Sequence, residues 1–341
     1  MSVLKRPIYI RKGLTFRASS IGDCLMGKYF LENIYKAHPE ARCAIVVGSR
    51  GAMIRDLFAA YPWLEIIEAN RRNPFSLIEL GKKFHGTDVT LTQYAGKNGG
   101  SFSLMSKLAA RMLTKRGGLI GFQDSFPFNG VIYDRVLPLL QKSAPVELER
   151  SALTAAMVPI GIPMPSFLYT PQPQIFERLG LHQVKYVVLH LFSGGKARGV
   201  SPWYRQELIS KLSKVLPDGH KLALTGSKAE RESLKDIPSN ALIVETSMQE
   251  LAALIAASVG MVSLDTGAAH LAAHLRKPLI VLASCVGEQW WSREMYGEHV
   301  PAAVFTRTDV CAAGHDYSEY AKCLEAITID DVAHRAKELF L

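Results

Sequence analysis

The stretch Val262-Ser263-Leu264-Asp265-Thr266-Gly267-Ala268-Ala269-His270-Leu271-Ala272-Ala273 passes from an apolar run straight into an Ala- and Leu-rich run. The first part reads as a buried strand and the second as a helix, with Asp265 or Thr266 as the cap between them. Gly267 lets a ligand approach the backbone closely. The first amides of such a helix point out of the carboxyl end of the strand. Those N–H groups and the helix dipole together favour an anion, so the turn reads as a phosphate site. His270 is placed to add a further donor.

A second stretch, Arg17-Ala18-Ser19-Ser20-Ile21-Gly22-Asp23-Cys24-Leu25, lies near the N-terminus and runs into a helical pattern through Tyr29, Phe30 and Ile34. It predicts a tight strand-to-helix loop with Asp23 at its rim. An S-x-G-D loop early in the chain and a D-T-G-x-x-H-L-A-A segment late in it resemble the glycosyltransferase family that holds the lipopolysaccharide heptosyltransferases. Further echoes are His190-Leu191-Phe192-Ser193 with Lys196, Leu224-Thr225-Gly226-Ser227, and Lys277-Pro278 before another apolar run. The resemblance covers most of the chain. It implies an α/β protein of the GT-B fold, with two Rossmann-like domains facing each other across a cleft.

Composition agrees with two domains: 341 residues are long for one core. Apolar runs alternate with helical patterns in both halves, the signature of parallel sheets. In the first half Leu14–Phe16, Cys43–Val47, Val89–Leu91 and Leu119–Phe122 read as strands. Asp23–Ala37, Ala52–Ala60, Ser103–Thr114 and Val131–Leu140 read as helices. The second half repeats the alternation, with strands at Tyr186–Leu191, Leu222–Thr225, Leu242–Val244, Met261–Leu264 and Leu279–Ala283. Between the halves Pro159, Pro163, Pro165, Pro171 and Pro173 suit neither a helix nor a central strand. We therefore expect an acceptor-binding domain over 1–160, a linker near 159–173 and a donor-binding domain over 174–341. No repeat is visible in the sequence.

Lys and Arg outnumber Asp and Glu by 22 to 12 in residues 1–170 and stand at 18 to 19 in the remainder, recovering the overall +9. The basic half implies an anionic partner there. No apolar run is long enough to span a bilayer, and Lys5, Arg6, Arg11 and Lys12 precede no signal-peptide core, so cytoplasmic residence is expected. The five cysteines, Cys24, Cys43, Cys285, Cys311 and Cys323, contain no C-x-x-C. That argues against a disulfide framework and a zinc ribbon, although Cys311 and Cys323 could meet; reduced, buried thiols are expected.

Other chemistries lack their signatures. No G-x-G-x-x-G follows a strand, no P-loop is present, and no G-x-S-x-G exists. His270 and His274 have zinc-ligand spacing without the general base of a metalloprotease. Neither a cofactor nor a metal is expected, and the high isoelectric point comes with no nucleic-acid recognition motif.

The resemblance implies inverting transfer of a heptose from ADP-heptose to a lipopolysaccharide inner-core acceptor. Asp23 would be the general base, since one placed carboxylate and no second suits inversion. The donor would be held by Ser193, Lys196, Arg198, Thr225, Gly226, Glu230, Met248, Asp265, Thr266, Gly267, Ala268 and His270. Which of Lys196 and Arg198 meets phosphate stays open. Arg17 either keeps Asp23 ionised or, with Ser20, Lys107 and Arg111, binds the acceptor. Lys107, Arg111 and Lys115 recur every four residues opposite Leu104, Met105, Leu108 and Met112. Such a basic amphipathic helix suits an anionic glycolipid, with peripheral contact on the cytoplasmic face of the inner membrane. The alternatives are the same fold and mechanism with another nucleotide sugar or acceptor, or a non-catalytic nucleotide-sugar binding protein.

Overall fold

The computed structural model describes residues 9–69, 74–94, 103–139, 143–285, 288–297, 302–311 and 318–340. The basic residues Lys5, Arg6, Arg71 and Arg72 lie outside these. The chain divides into two compact units, Met1–Pro165 and Ser166–Leu341, and the division falls within the proline-rich stretch.

The first unit runs β1 (Lys12–Arg17), α1 (Ile21–Ala37), β2 (Arg42–Val47), α2 (Gly51–Leu57), β3 (Leu64–Glu68), α3 (Pro74–Phe84), β4 (Val89–Thr92), α4 (Leu104–Leu113), β5 (Leu119–Phe122), α5 (Asn129–Ile132), β6 (Arg135–Leu137) and α6 (Pro145–Ala155). All six strands are parallel, in the order β3-β2-β1-β4-β5-β6. Central β1 is buried from Gly13 to Arg17, which is why it reads as a continuous run rather than an alternation. Leu14, Phe16, Leu80, Phe84, Ala110 and Leu113 share one core, so α3 and α4 cover the same face of the sheet.

The helix expected over 131–140 is corrected. α5 stops at Ile132, and β6 pairs with β5. Asp134 redirects the chain: its N–H donates to the Leu119 carbonyl, and its carboxylate accepts the Leu119 N–H at 2.9 Å. Pro138 then bars a helix. The linker residues 161–163 are strapped onto α1. Ile162 N–H donates to Asn33 Oδ1 at 2.8 Å, and Lys36 Nζ to the Gly161 carbonyl at 2.7 Å.

The second unit runs α7 (Pro173–Arg178), β7 (Tyr186–His190), α8 (Pro202–Val215), β8 (Lys221–Thr225), α9 (Lys228–Glu232), β9 (Ala241–Val244), α10 (Met248–Ala257), β10 (Gly260–Leu264), α11 (Gly267–His274), β11 (Leu279–Leu282), α12 (Arg293–Tyr296), β12 (Ala302–Phe305), α13 (Lys322–Glu325) and α14 (Ile329–Phe340). Its parallel order, β12-β11-β10-β7-β8-β9, is that of the first unit read from the other edge. In both, the chain reverses direction across the sheet beside its first strand, between β1 and β4 and between β7 and β10. Such a switch point opens a crevice outside the carboxyl ends of the strands, where open α/β sheets bind ligands.

Gly260 lets α14 close on the sheet: a Cβ there would stand 2.2 Å from the Phe340 ring. Gly260→Ala should therefore cost about 1–3 kcal/mol through overpacking. Phe340→Leu in the same chain should recover part of the loss. Thermal unfolding checks this, and an unshifted Gly260→Ala would contradict the packing.

Candidate functional site

In the first unit the loop after β1 turns into α1 at the switch point. Ser20 is the N-cap and accepts the Asp23 N–H at 3.2 Å, while its hydroxyl donates to Asp23 Oδ2 at 2.5 Å. Capping thus falls to Ser20. The Asp23 carboxylate stands at the third helical position, half-buried.

Arg17 is corrected as an acceptor ligand. It lies beneath the loop at 3% exposure, its Nη2 2.8 Å from Glu149 Oε2 on α6. Gly27 makes the space: a Cβ there would come 2.9 Å from Arg17 Nε. Burial opposes the Arg17 charge, yet Glu149 beside it, helped by Asp23, carries the guanidinium pKa above its usual value. Burial raises the Glu149 carboxyl, with Arg17 pulling against it. Arg17 Nε and Nη1 and Glu149 Oε1 find no hydrogen-bond partner. Arg17 is therefore a buried, paired cation under the loop that bears Asp23. The sequence carried no sign of Glu149 as its partner.

Lys107 is corrected as well. The α4 face turned inward carries Lys107, Ala110 and Leu113, while Leu104, Met105, Leu108 and Met112 are exposed. Lys107 is fully buried, 2.7 Å from Asp124 Oδ2 and 2.9 Å from Asn129 Oδ1, over the Phe126 ring. Arg111 pairs with Asp134 at 2.7 Å and Lys115 with Asp88 at 2.5 Å. The expected basic face is thus taken up by carboxylates of its own sheet.

In the second unit three loops open at the carboxyl ends of β7, β8 and β10. After β7, Ser193 Oγ donates to the Gly195 carbonyl at 2.8 Å and closes a loop. Lys196 and Arg198 lie exposed on its 3₁₀ turn, Lys196 Nζ 5.8 Å from the Tyr320 ring centre. After β8, Thr225 is buried and bonded to His190 Nδ1 at 3.1 Å, and a Cβ on Gly226 would meet the Phe192 ring at 2.9 Å. One Glu230 oxygen accepts the Ser227 N–H at 2.7 Å, completing a capping box, and the side chain is half-buried. Met248 begins α10 and is half-buried.

After β10, α11 begins at Gly267, and its N-cap Thr266 makes no side-chain cap bond, whereas Ser201, Ser227 and Ser247 each cap the helix that follows them. The first-turn amides of α11 therefore face outward without an intrahelical acceptor. His270 is not beside them as a donor. Its ring stacks on Trp291 at 4.5 Å and lies 4.8 Å from Trp290. Its Nδ1 is 2.7 Å from Tyr296 Oη and its Nε2 3.4 Å from Asp265 Oδ1, which also accepts Trp291 Nε1–H at 3.0 Å. Burial drives the Tyr296 phenol far up, so its hydroxyl stays protonated against Nδ1. Asp265 and His270 thus shape the turn from behind, in an aromatic cage the sequence reading missed. The Trp290-Trp291 doublet was its one visible sign.

Two Rossmann-like units of the same strand order define the GT-B class. Residues 203–284 match the family model for glycosyltransferase family 9 (heptosyltransferase), a segment that contains the Asp265-Thr266-Gly267 turn. The chain superposes on E. coli heptosyltransferase WaaC, solved with ADP, with a TM-score of 0.68 at 17% identity, over 96% of this chain and 99% of that one. The E. coli ADP-heptose LPS heptosyltransferase II gives 0.69 at 18%, over 96% and 98%. A family 9 glycosyltransferase of Veillonella parvula gives 0.71 at 14%, over 97% of each. Among curated proteins no sequence matches. The family match is confined to residues 203–284, and the chain as a whole shares the fold of these heptosyltransferases.

Removing the Glu149 charge should leave Arg17 buried and unpaired. Glu149→Leu should cost about 3–5 kcal/mol, and Arg17→Met in the same chain should recover most of it. Urea unfolding measures both. A Glu149→Leu variant as stable as the parent would contradict the pair as described.

Proposed function

We propose that the chain is an inverting glycosyltransferase that moves a heptose from ADP-heptose onto a lipopolysaccharide inner-core acceptor. The observation that carries this reading is the position of the uncapped α11 turn, at a switch point and inside the family 9 segment. The second unit is then the donor-binding domain and the first the acceptor-binding domain. The donor assignment is supported by the likeness in fold to a heptosyltransferase solved with ADP.

Asp23 takes the proton of the acceptor hydroxyl as that oxygen attacks the anomeric carbon. The bond from that carbon to the diphosphate oxygen breaks, and ADP departs. Its developing charge is met by the amides of Thr266, Gly267 and Ala268 and by the cations of the Ser193–Arg198 loop. This stabilisation needs no metal. Attack by the acceptor itself, with one carboxylate as base, inverts the anomeric centre. Arg17 lies paired beneath the loop rather than touching the acceptor, and Ser20 orients the carboxylate.

The acceptor is taken to be an anionic glycolipid, met at the cytoplasmic face of the inner membrane. No helix among the described residues is long and apolar enough to cross a membrane. With Lys107, Arg111 and Lys115 paired internally, peripheral contact is assigned to the exposed apolar side chains of α4 and to Phe75, Leu77 and Ile78 of α3. Both helices cover the same face of the first sheet.

ADP should raise the melting temperature where UDP and GDP do not, and Lys196→Ala with Arg198→Ala should erase that shift. Asp23→Asn should keep the ADP shift while lowering kcat by roughly 10²–10⁴-fold. No response to any nucleotide would overturn the donor assignment. Near-parental turnover of Asp23→Asn would overturn the base.

A further inference from the structure

Cys285, Cys311 and Cys323 come from three separate pieces of the second unit: the loop after β11, the end of the 3₁₀ turn Thr308–Cys311 after β12, and α13. Their Sγ atoms all lie within 4.8 Å of one another, and no disulfide joins them. Cys323 is fully buried in the core of the unit, with Cys285 and Cys311 half-buried against it. We propose that these three thiols form a binding site for a thiophilic divalent cation of the zinc class.

The distances favour a metal over a bridge. A disulfide needs sulfurs about 2 Å apart and can join two of the three. Zinc–sulfur bonds of about 2.3 Å in tetrahedral array set ligand sulfurs about 3.8 Å apart. Three sulfurs mutually within 4.8 Å need shift only slightly to meet that geometry. Thiolates select zinc and similar soft ions over magnesium or calcium. Each thiol gives up its proton to solvent as its metal–sulfur bond forms, with no change of oxidation state.

The site would brace the loop after β7. Next to Cys323, Ala321 N–H donates to the Gly199 carbonyl at 3.1 Å, and Glu325 Oε1 accepts the Ser201 N–H at 2.6 Å. Fixing α13 to the loops after β11 and β12 fixes those two bonds, and with them the loop that carries Lys196 and Arg198. The cation is structural and independent of what the loop binds.

Untagged protein, purified without chelator or added metal, should carry close to one equivalent of zinc or iron by elemental mass spectrometry. Cys311→Ser and Cys285→Ser should carry less than about a tenth of that. Cobalt(II) added to metal-stripped parent protein should give a thiolate-to-metal charge-transfer band that both variants lack. Stripping should also speed hydrogen exchange at the Ser201 and Ala321 amides while leaving β1–β5 unchanged. Metal-free protein that gives no cobalt band would overturn the site. So would a disulfide within the triad in unreduced protein. Exchange at Ser201 and Ala321 that ignores stripping would overturn the brace.

Discussion

Every strand pairing in either sheet is parallel, and that constraint places everything else. In a parallel sheet each strand must be followed by a crossover, so all carboxyl ends open on one side and helix N-termini gather there. Asp23 follows β1, Ser193 and Lys196 follow β7, Gly226 follows β8, Asp265 follows β10, and Cys285 follows β11. These residues are far apart in sequence and lie on corresponding edges because the topology leaves them nowhere else. The repeated strand order gives each unit its own switch point, although no repeat can be read from the residues.

Charge is distributed differently from what composition suggests. The surplus of cations in the first half promises a basic surface, yet several are consumed inside the fold. Arg17 neutralises Glu149 in a space that Gly27 leaves open, and Lys107 meets Asp124 and Asn129 at the end of the sheet. Burying such charges is costly unless they are paired and hydrogen-bonded. Arg17 pays part of that cost beneath the loop that bears Asp23. In α4 the outcome is an inverted helix, with a lysine inside and methionines outside.

How much of this was legible follows from the kind of signal involved. The central strands and the two loops that decide the fold were plain, because fully buried strands write continuous apolar runs and the Asp-Thr-Gly and Ser-x-Gly-Asp turns are local. β3 was missed because Leu64–Glu68 is short and half polar, and β6 because Arg135–Leu137 sits at an edge with a helical turn just before it. The partners of His270, Glu230, Lys107 and Arg17 were illegible for one common reason. Each is engaged by a residue remote in sequence or by a cap, which residue type and spacing do not reveal. The cysteine triad is the converse case: spacings of 26 and 12 residues match no metal motif, and only the convergence of three loops brings the sulfurs together.

The central claim is that the α11 turn and the loop after β7 hold the diphosphate of the donor. The most direct measurement is an ADP titration followed by backbone amide resonances of the whole chain. The largest shifts should fall on Thr266, Gly267 and Ala268 and on the loop from Ser193 to Arg198, because a bound diphosphate accepts hydrogen bonds from those amides. ADP that binds while leaving the 266–268 amides unmoved, with its shifts clustered elsewhere, would contradict the account.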